Sequence, residues 1–282
     1  MCYNSDVSKR LLIFFVFIVA IVDGVALINP NIKDFGFGTL YLTFHTISQS
    51  VVAAISLFLG LQCFKLFRQS GLLNEIIIGC GFILSAAFDI LHALAYGGMP
   101  TTVIFPSVNT SELFWFAARF IFVFNLIFGF FLTKKVGKIK TRIGVAIAIV
   151  SFFILGLYSF AIFWGTDIPV QATISGPSHL KTINEYIIMI LFLISGILYY
   201  YRYKVYKEII YNFFVFLIIS ILAELNLTFH SGSFYFINWI SHLMTILAYI
   251  VLLFQFRSLK RLQQVETDML LNKMQKVKLV KF

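Results

Sequence analysis

The sequence predicts an all-α, polytopic membrane helix bundle of about eight transmembrane helices, followed by a cytoplasmic helix. Two observations lead to this fold class: 60% of the 282 residues are hydrophobic, and charged residues make up only 12%. The apolar residues form long runs near the length of about 20 residues that spans a bilayer. Each span must be helical, because lipid offers no partner to free backbone groups. An ordinary water-soluble domain is therefore excluded.

The first apolar segment, at 11–28, follows Lys9 and Arg10 and so begins like a signal peptide. Asp23 and Gly24 interrupt it and no small-residue cleavage site follows, so we interpret it as a retained first helix. The seven further segments near 20 residues are 39–62, 72–95, 112–133, 142–164, 184–202, 209–229 and 235–257.

The connections between these segments alternate in composition. Basic residues follow segments two, four, six and eight, whereas the connections at 96–111 and 165–183 contain glycine and proline. By the positive-inside rule the basic connections are cytoplasmic, so both termini are cytoplasmic. The basic residues predicted on this side are Lys9, Arg10, Lys65, Arg68, Lys134, Lys135, Lys138, Lys140, Arg142, Arg202, Lys204, Lys207, Arg257, Lys260, Arg261, Lys273, Lys276, Lys278 and Lys281.

The formal net charge of +10 follows from this topology and needs no nucleic acid as a partner. The partner it implies is the lipid bilayer, through attraction to anionic lipid. We expect a multi-pass protein of the cell inner membrane. Cys2, Cys63 and Cys80 show no CxxC spacing, and we interpret them as small apolar side chains.

The polar side chains inside the predicted spans share one depth. Counted at ~1.5 Å per residue, they lie roughly 5–11 Å from the outer boundary. A charge that faces lipid is costly, so the charged members should face the bundle interior and one another. Asp89 and His92, at i and i+3, share a helix face with Tyr96 and can act as a pair. The cluster comprises His45, Asp89, His92, Arg119, Glu224 and His242, with Trp115 beside Arg119 and with Glu112 and Glu185 at span ends.

Two interpretations of this cluster remain open. An Asp–Arg pair often only holds membrane helices together, since each polar pair adds about 0.6–2 kcal/mol. A single buried histidine is commonly a core residue. Three histidines with two carboxylates at one depth favour a site instead, and His45, His92 and His242 could ligate a metal ion or the iron of a haem. No HExxH motif or comparable spacing supports this cofactor.

Several short motifs occur in a defined order along the chain: FHTISQS (44–50), DILHALAYGGM (89–99), FP (105–106), LFWFAARF (113–120), INEYII (183–188), LAELNLTF (222–229) and ISHLMTILAY (240–249). Together they resemble the third class of bacterial membrane-associated sensor domains, an N-terminal membrane module of histidine kinases and diguanylate cyclases. The resemblance covers about residues 40–257. Its most specific parts are the Asp-x-x-His-x-Leu-x-Tyr-x-Gly-Met and Trp-x-x-Ala-Arg runs.

The resemblance implies signal transduction, as in two-component systems, and names no stimulus. The family usually has glutamate one turn after the first histidine, where this chain has Gln49, so one negative charge is lost. The residues that the resemblance carries over by position are His45, Asp89, His92, Tyr96, Met99, Pro106, Trp115, Arg119, Glu185, Glu224 and His242. All of these except Met99 and Pro106 are expected to form a ligand site.

The chain after the last span is rich in helix-forming residues and lacks glycine and proline. We divide the chain into an integral membrane sensor domain at 1–257 and a cytoplasmic signalling helix or coiled coil at 258–282, through which two copies would form a homodimer. The alternative is an amphipathic helix on anionic lipid. No kinase phosphoacceptor region, nucleotide lid or cyclase motif is present, so we expect no catalytic output from this chain.

The sequence therefore predicts a membrane sensor module that detects an unidentified stimulus near the extracytoplasmic side and acts on a cytoplasmic signalling effector. An ion- or proton-coupled transporter is one alternative, although a path across the bilayer needs polar groups at the middle and inner depths too. A membrane enzyme that binds a metal ion or haem is the other.

Overall fold

The computed structural model describes residues 38–100, 107–132, 172–173, 176–203, 207–228 and 237–256. Six helices in these ranges are long and apolar enough to cross a membrane. They are α1 (Gly38–Ser70), α2 (Leu73–Leu94), α3 (Val108–Phe131), α4 (His179–Tyr203), α5 (Lys207–Thr228) and α6 (Ile237–Phe256). Two short strands, β1 (Ala172–Thr173) and β2 (Gly176–Pro177), pair antiparallel.

The six helices confirm six of the predicted spans and the all-helical class of the bundle. The predicted spans at 11–28 and 142–164 lie outside the described residues, and so does the predicted helix at 258–282. Eight spans and a cytoplasmic helix therefore remain predictions.

Three helix ends differ from the predicted ones because local capping decides them. Helix α3 begins four residues before the predicted 112, since the Ser107 hydroxyl accepts a hydrogen bond from the Thr110 amide at 3.0 Å. Helix α4 begins before 184, where the Ser178 hydroxyl accepts from the Lys181 amide at 3.1 Å. Helix α1 runs past 62 and ends at Ser70, and the next residue, Gly71, has a φ of 71° that is typical of a helix-ending glycine.

Helix α2 packs against both α1 and α3, and α4 packs against α3 and α5. Glycine permits a close contact between α1 and α2, because a Cβ atom at Gly60 would lie 2.6 Å from Ile83 Cγ1 and 2.9 Å from the Gly79 carbonyl oxygen. Small residues at membrane helix contacts let backbones approach in this way. The α1–α2 pair is thus fixed closely enough to align side chains from both helices.

An aromatic core fills the centre of the bundle. Phe122, Phe192 and Phe216 pack on one another with ring centroids 5.9–6.3 Å apart, and Tyr249 lies 6.1 Å from Phe122. The polar side chains described next lie beyond this core, where α2 ends and α3 begins. We call this the polar end of the bundle.

Candidate functional site

The first part of the site is a pair of histidines on α1 and α2. His45 Nε2 lies 3.1 Å from His92 Nε2, and both rings are buried. His92 Nδ1 lies 2.8 Å from the Ser111 carbonyl oxygen, which can only accept, so His92 donates from Nδ1. In its neutral form His92 then accepts at Nε2, and His45 donates from Nε2. The remaining lone pair, on His45 Nδ1, accepts no hydrogen bond from the described residues.

A third histidine on α6 completes this histidine cluster. His242 Nδ1 lies 3.0 Å from the Gln49 amide nitrogen, a donor, so Nδ1 accepts and Nε2 donates to the Tyr41 hydroxyl at 3.4 Å. The rings of His45 and His242 are 4.8 Å apart and edge-on, and the Tyr96 ring lies 4.0 Å from His45. His242 is therefore arranged as a neutral hydrogen-bonding group, and a neutral His92 gives the His45–His92 contact a single shared hydrogen.

The second part is an ion cluster around Arg119. Its Nη2 donates to Asp89 Oδ1 at 2.8 Å and its Nη1 to the Tyr249 hydroxyl at 3.1 Å. Glu224 is farther, with Oε1 3.9 Å from Arg119 Nε, and it accepts from Trp115 Nε1 at 3.3 Å. The guanidinium also stacks over the Trp115 ring at 4.0 Å. One cation thus links four helices.

Trp115 joins the ion cluster to the histidine cluster. Its ring lies 5.3 Å from the His92 ring and 6.3 Å from the His242 ring, while its indole nitrogen donates to Glu224. The sequence suggested that Asp89 and His92 act as a pair. They share a helix face, but Asp89 bonds to Arg119 whereas His92 bonds to His45 and Ser111.

A third group, which we call the Lys181 cluster, lies on α3 and α4. Lys181 Nζ donates to Glu112 Oε1 at 2.9 Å and lies 3.7 Å from Glu185 Oε1, an ion-pair distance too long for a hydrogen bond. Glu185 is fully buried, and the Lys181 side chain is only 6% exposed. The predicted helix start at 184 would instead leave Lys181 in the preceding loop.

The arrangement of the histidines does not support the predicted metal ion or haem. Both ring nitrogens of His92 and both of His242 have hydrogen-bond partners within the protein, and only His45 offers an open nitrogen. Among the described residues, no three His, Cys, Asp or Glu side chains are placed to hold a metal ion. The predicted metal ion or haem therefore has no ligand set in the described part of the chain, and it stays a prediction.

A small cavity adjoins the ion cluster on the side of the aromatic core. Its volume of about 10 Å³ has room for about one water molecule. Arg119 Nε makes no hydrogen bond to the described residues, and a water there could bridge it to Glu224. The cavity is lined by Arg119, Phe122, Phe192, Phe216, Ser220, Ala223, Glu224, Thr245 and Tyr249.

The structure brings nearly all the predicted site residues to the polar end. Pro106 lies outside the described residues, and Met99 contacts Thr46 with its sulfur 3.9 Å from the hydroxyl. Four side chains that complete the site were not predicted from the sequence, although two of them fall inside the quoted motifs. These are Tyr41, Gln49, Ser111 and Tyr249.

Membrane-spanning helices that enclose histidines and ion pairs at one end define an integral membrane protein with a buried polar site. The family model of the MASE3 membrane-associated sensor domain matches residues 39–256. The chain belongs to this family, which confirms the resemblance seen in the motifs. Comparison with curated proteins and with solved structures gave no significant match.

Proposed function

We propose that this chain is a sensor module of the inner membrane whose polar end detects a stimulus on the extracytoplasmic side. The observation that supports it is the convergence of all six described helices on adjoining buried polar groups. Bistable packing contacts convert small local changes into helix movements. A stimulus that alters one contact here would therefore alter the packing of several helices.

Helix α6 is the element that would carry the signal. It supplies His242 to the histidine cluster and Tyr249 to the ion cluster, two full turns apart on one face. A shift or rotation of α6 would break or form contacts in both clusters together. The chain continues from α6 into 258–282, which we propose to be the cytoplasmic output helix.

We propose that the output helix pairs two copies of the chain and acts on a cytoplasmic effector, such as a histidine kinase or a diguanylate cyclase. The composition of 258–282 supports this, because good helix formers surround a rough stripe of apolar residues. Changes in the pairing of two such helices would transmit a change at the polar end.

Cysteine cross-linking in membranes tests the proposal. Cys2, Cys63 and Cys80 would be replaced by alanine, and single cysteines would be placed along 258–275. We expect cross-linking with helical periodicity, and we expect Asp89→Asn and His92→Ala to shift its phase or extent. The control is Ser50→Ala, since Ser50 is exposed and its hydroxyl donates to the Thr46 backbone carbonyl of the same helix.

Two outcomes would count against the proposal in different ways. A flat profile in every variant would contradict the dimer and favour a helix that lies on the lipid surface. A periodic profile that is identical in Asp89→Asn, His92→Ala and Ser50→Ala would contradict the coupling between the polar end and the output helix.

A further inference from the structure

The polar end of the bundle holds more carboxylates than cations. In the described part of the chain, two cations, Arg119 and Lys181, lie within ion-pair distance of four carboxylates. Three of these carboxylates are buried. A charge in a low-dielectric interior is costly unless it is paired. The four carboxylates are Asp89, Glu112, Glu185 and Glu224.

The rest of the sequence offers little positive charge to balance them. Apart from the residues in the basic connections, the only other Lys or Arg is Lys33. The predicted outward connections also contain Asp34 and Asp167, so Lys33 would not remove the excess. If all carboxylates at this end were ionised, the polar end would carry a net negative charge.

Two of the four carboxylates have direct cationic partners. Asp89 accepts from Arg119 at 2.8 Å, and Glu112 accepts from Lys181 at 2.9 Å while 20% of its side chain is exposed. Glu224 has a weaker arrangement, with the Trp115 N–H at 3.3 Å and Arg119 at 3.9 Å. These contacts already occupy both cations.

Glu185 is the carboxylate without such a partner. It is fully buried, and neither of its oxygens accepts a hydrogen bond from the described residues. Lys181, at 3.7 Å, is already bonded to Glu112. The other charged groups that face Glu185 are the carboxylates Glu112 on α3 and Glu224 on α5. The Thr228 hydroxyl on α5 also faces it, but this hydroxyl donates to the Glu224 backbone carbonyl at 2.9 Å. On α6, His242 and Tyr249 bond elsewhere, to Gln49 and Tyr41 and to Arg119.

We infer that the Lys181 cluster binds one further positive charge, a proton or a small monovalent cation, at the Glu185 carboxylate. Either would supply the positive charge or the hydrogen that the buried oxygens lack. This deepens the proposed function by giving the sensed stimulus a chemical class. It concerns binding alone, so it can fail while the coupling to the output helix stands.

Infrared difference spectroscopy of the full chain in lipid nanodiscs tests the proton. Spectra recorded across a pH series at constant ionic strength should contain a C=O band of a protonated carboxylic acid. We expect Glu185→Gln to remove one such band per chain. Glu112→Gln should remove it too, because it frees Lys181 to pair with Glu185. Glu75→Gln is the matched control, since Glu75 is buried elsewhere and hydrogen-bonds to Ser70.

Thermal unfolding tests the cation. At fixed pH, choline would be replaced by Na⁺ or K⁺ at the same ionic strength. A specific rise of the unfolding temperature with Na⁺ or K⁺ that Glu185→Gln abolishes and Glu75→Gln keeps would identify a small cation as the bound charge.

The two measurements together decide the inference. If neither a Glu185-dependent infrared band nor a Glu185-dependent cation effect is found, Glu185 is ionised with Lys181 as its only counter-charge and the inference is wrong. Should Glu185→Gln fail to fold, the wild-type chain and Glu112→Gln give the same decision, because the band and the cation effect must be present in the first and absent in the second.

Discussion

Gln49 shows how one side chain sets the protonation pattern of its neighbours. Its amide nitrogen lies 3.0 Å from His242 Nδ1, so it supplies a hydrogen that a carboxylate at this position could not supply. The resemblance to the sensor-domain family implies a glutamate at this position instead. The amide therefore suits a neutral His242 that accepts at Nδ1 and donates from Nε2 to Tyr41.

Gln49→Glu should reverse this pattern. A carboxylate can only accept, so we expect the His242 proton to move from Nε2 to Nδ1 and Tyr41 to become the donor. A buried acceptor left unpaired costs about 1–3 kcal/mol. The free energy of unfolding should fall by about this amount if the His242 proton does not move to Nδ1. Nitrogen NMR of labelled histidines reports the tautomer, and unfolding in detergent reports the stability.

The matched control for this change is Gln69→Glu, at an exposed position of the same helix. It should alter neither the His242 tautomer nor the unfolding temperature. An Nδ1-protonated His242 in the unsubstituted chain, or an unchanged Nε2-protonated ring in Gln49→Glu, would contradict the assignment.

Sequence patterns located the charged site residues well and the uncharged ones poorly. Asp89, Arg119 and Glu224 are so costly in lipid that their positions in apolar spans already predicted a shared interior site. Ser111 and Tyr249 gave no such signal, because a serine hydroxyl in a membrane helix can bond to its own backbone at little cost and a tyrosine side chain is mostly an apolar ring. Their roles depend on which helices cross, which spacing along one helix does not specify.

At the scale of the helices, apolar length predicted the spans but not their ends. The hydrophobic run predicts that α4 begins near 184. The helix begins about one turn earlier, at His179, because the Ser178 hydroxyl accepts a hydrogen bond from the Lys181 amide. That turn places Lys181 four residues before Glu185 on one face and creates the Lys181 cluster. A capping side chain thus decides whether a lysine lies in a loop or in the site.

The close α1–α2 contact makes a prediction about these two helices. A Cβ atom at Gly60 would meet Ile83 at 2.6 Å and the Gly79 carbonyl at 2.9 Å, so the helices must separate to admit it. We expect Gly60→Val to destabilise the protein by about 1–3 kcal/mol. It should also weaken the His45–His92 contact that joins the same two helices.

Detergent unfolding and the histidine NMR signals measure these two effects of Gly60→Val. Ala54→Val is the control, because Ala54 is exposed on α1. This substitution introduces the same branched side chain at a position that does not face α2. Equal stability of the two variants would show that the helices do not require the glycine.

At the scale of the whole molecule, the distribution of charge predicts how the protein is oriented in the membrane. The polar end holds the buried ion pairs, whereas nineteen of the 22 lysines and arginines lie in the predicted cytoplasmic connections. The positions of the basic residues between the apolar segments could predict that asymmetry. They could not predict how the charged residues of the polar end divide into the ion cluster and the Lys181 cluster, since this depends on helix contacts made in three dimensions.

Labelling of single cysteines in intact cells tests this orientation. After replacement of the native cysteines, we expect a membrane-impermeant thiol reagent to modify a cysteine at His179, which is exposed at the polar end, and to spare one at Lys138. The positive-inside rule places Lys138 in the cytoplasm, because it lies among five basic residues between two spans. Permeabilised cells provide the control, since both positions should then react. Modification at Lys138 and protection at His179 in intact cells would invert the topology, and the polar end would then sense a cytoplasmic stimulus.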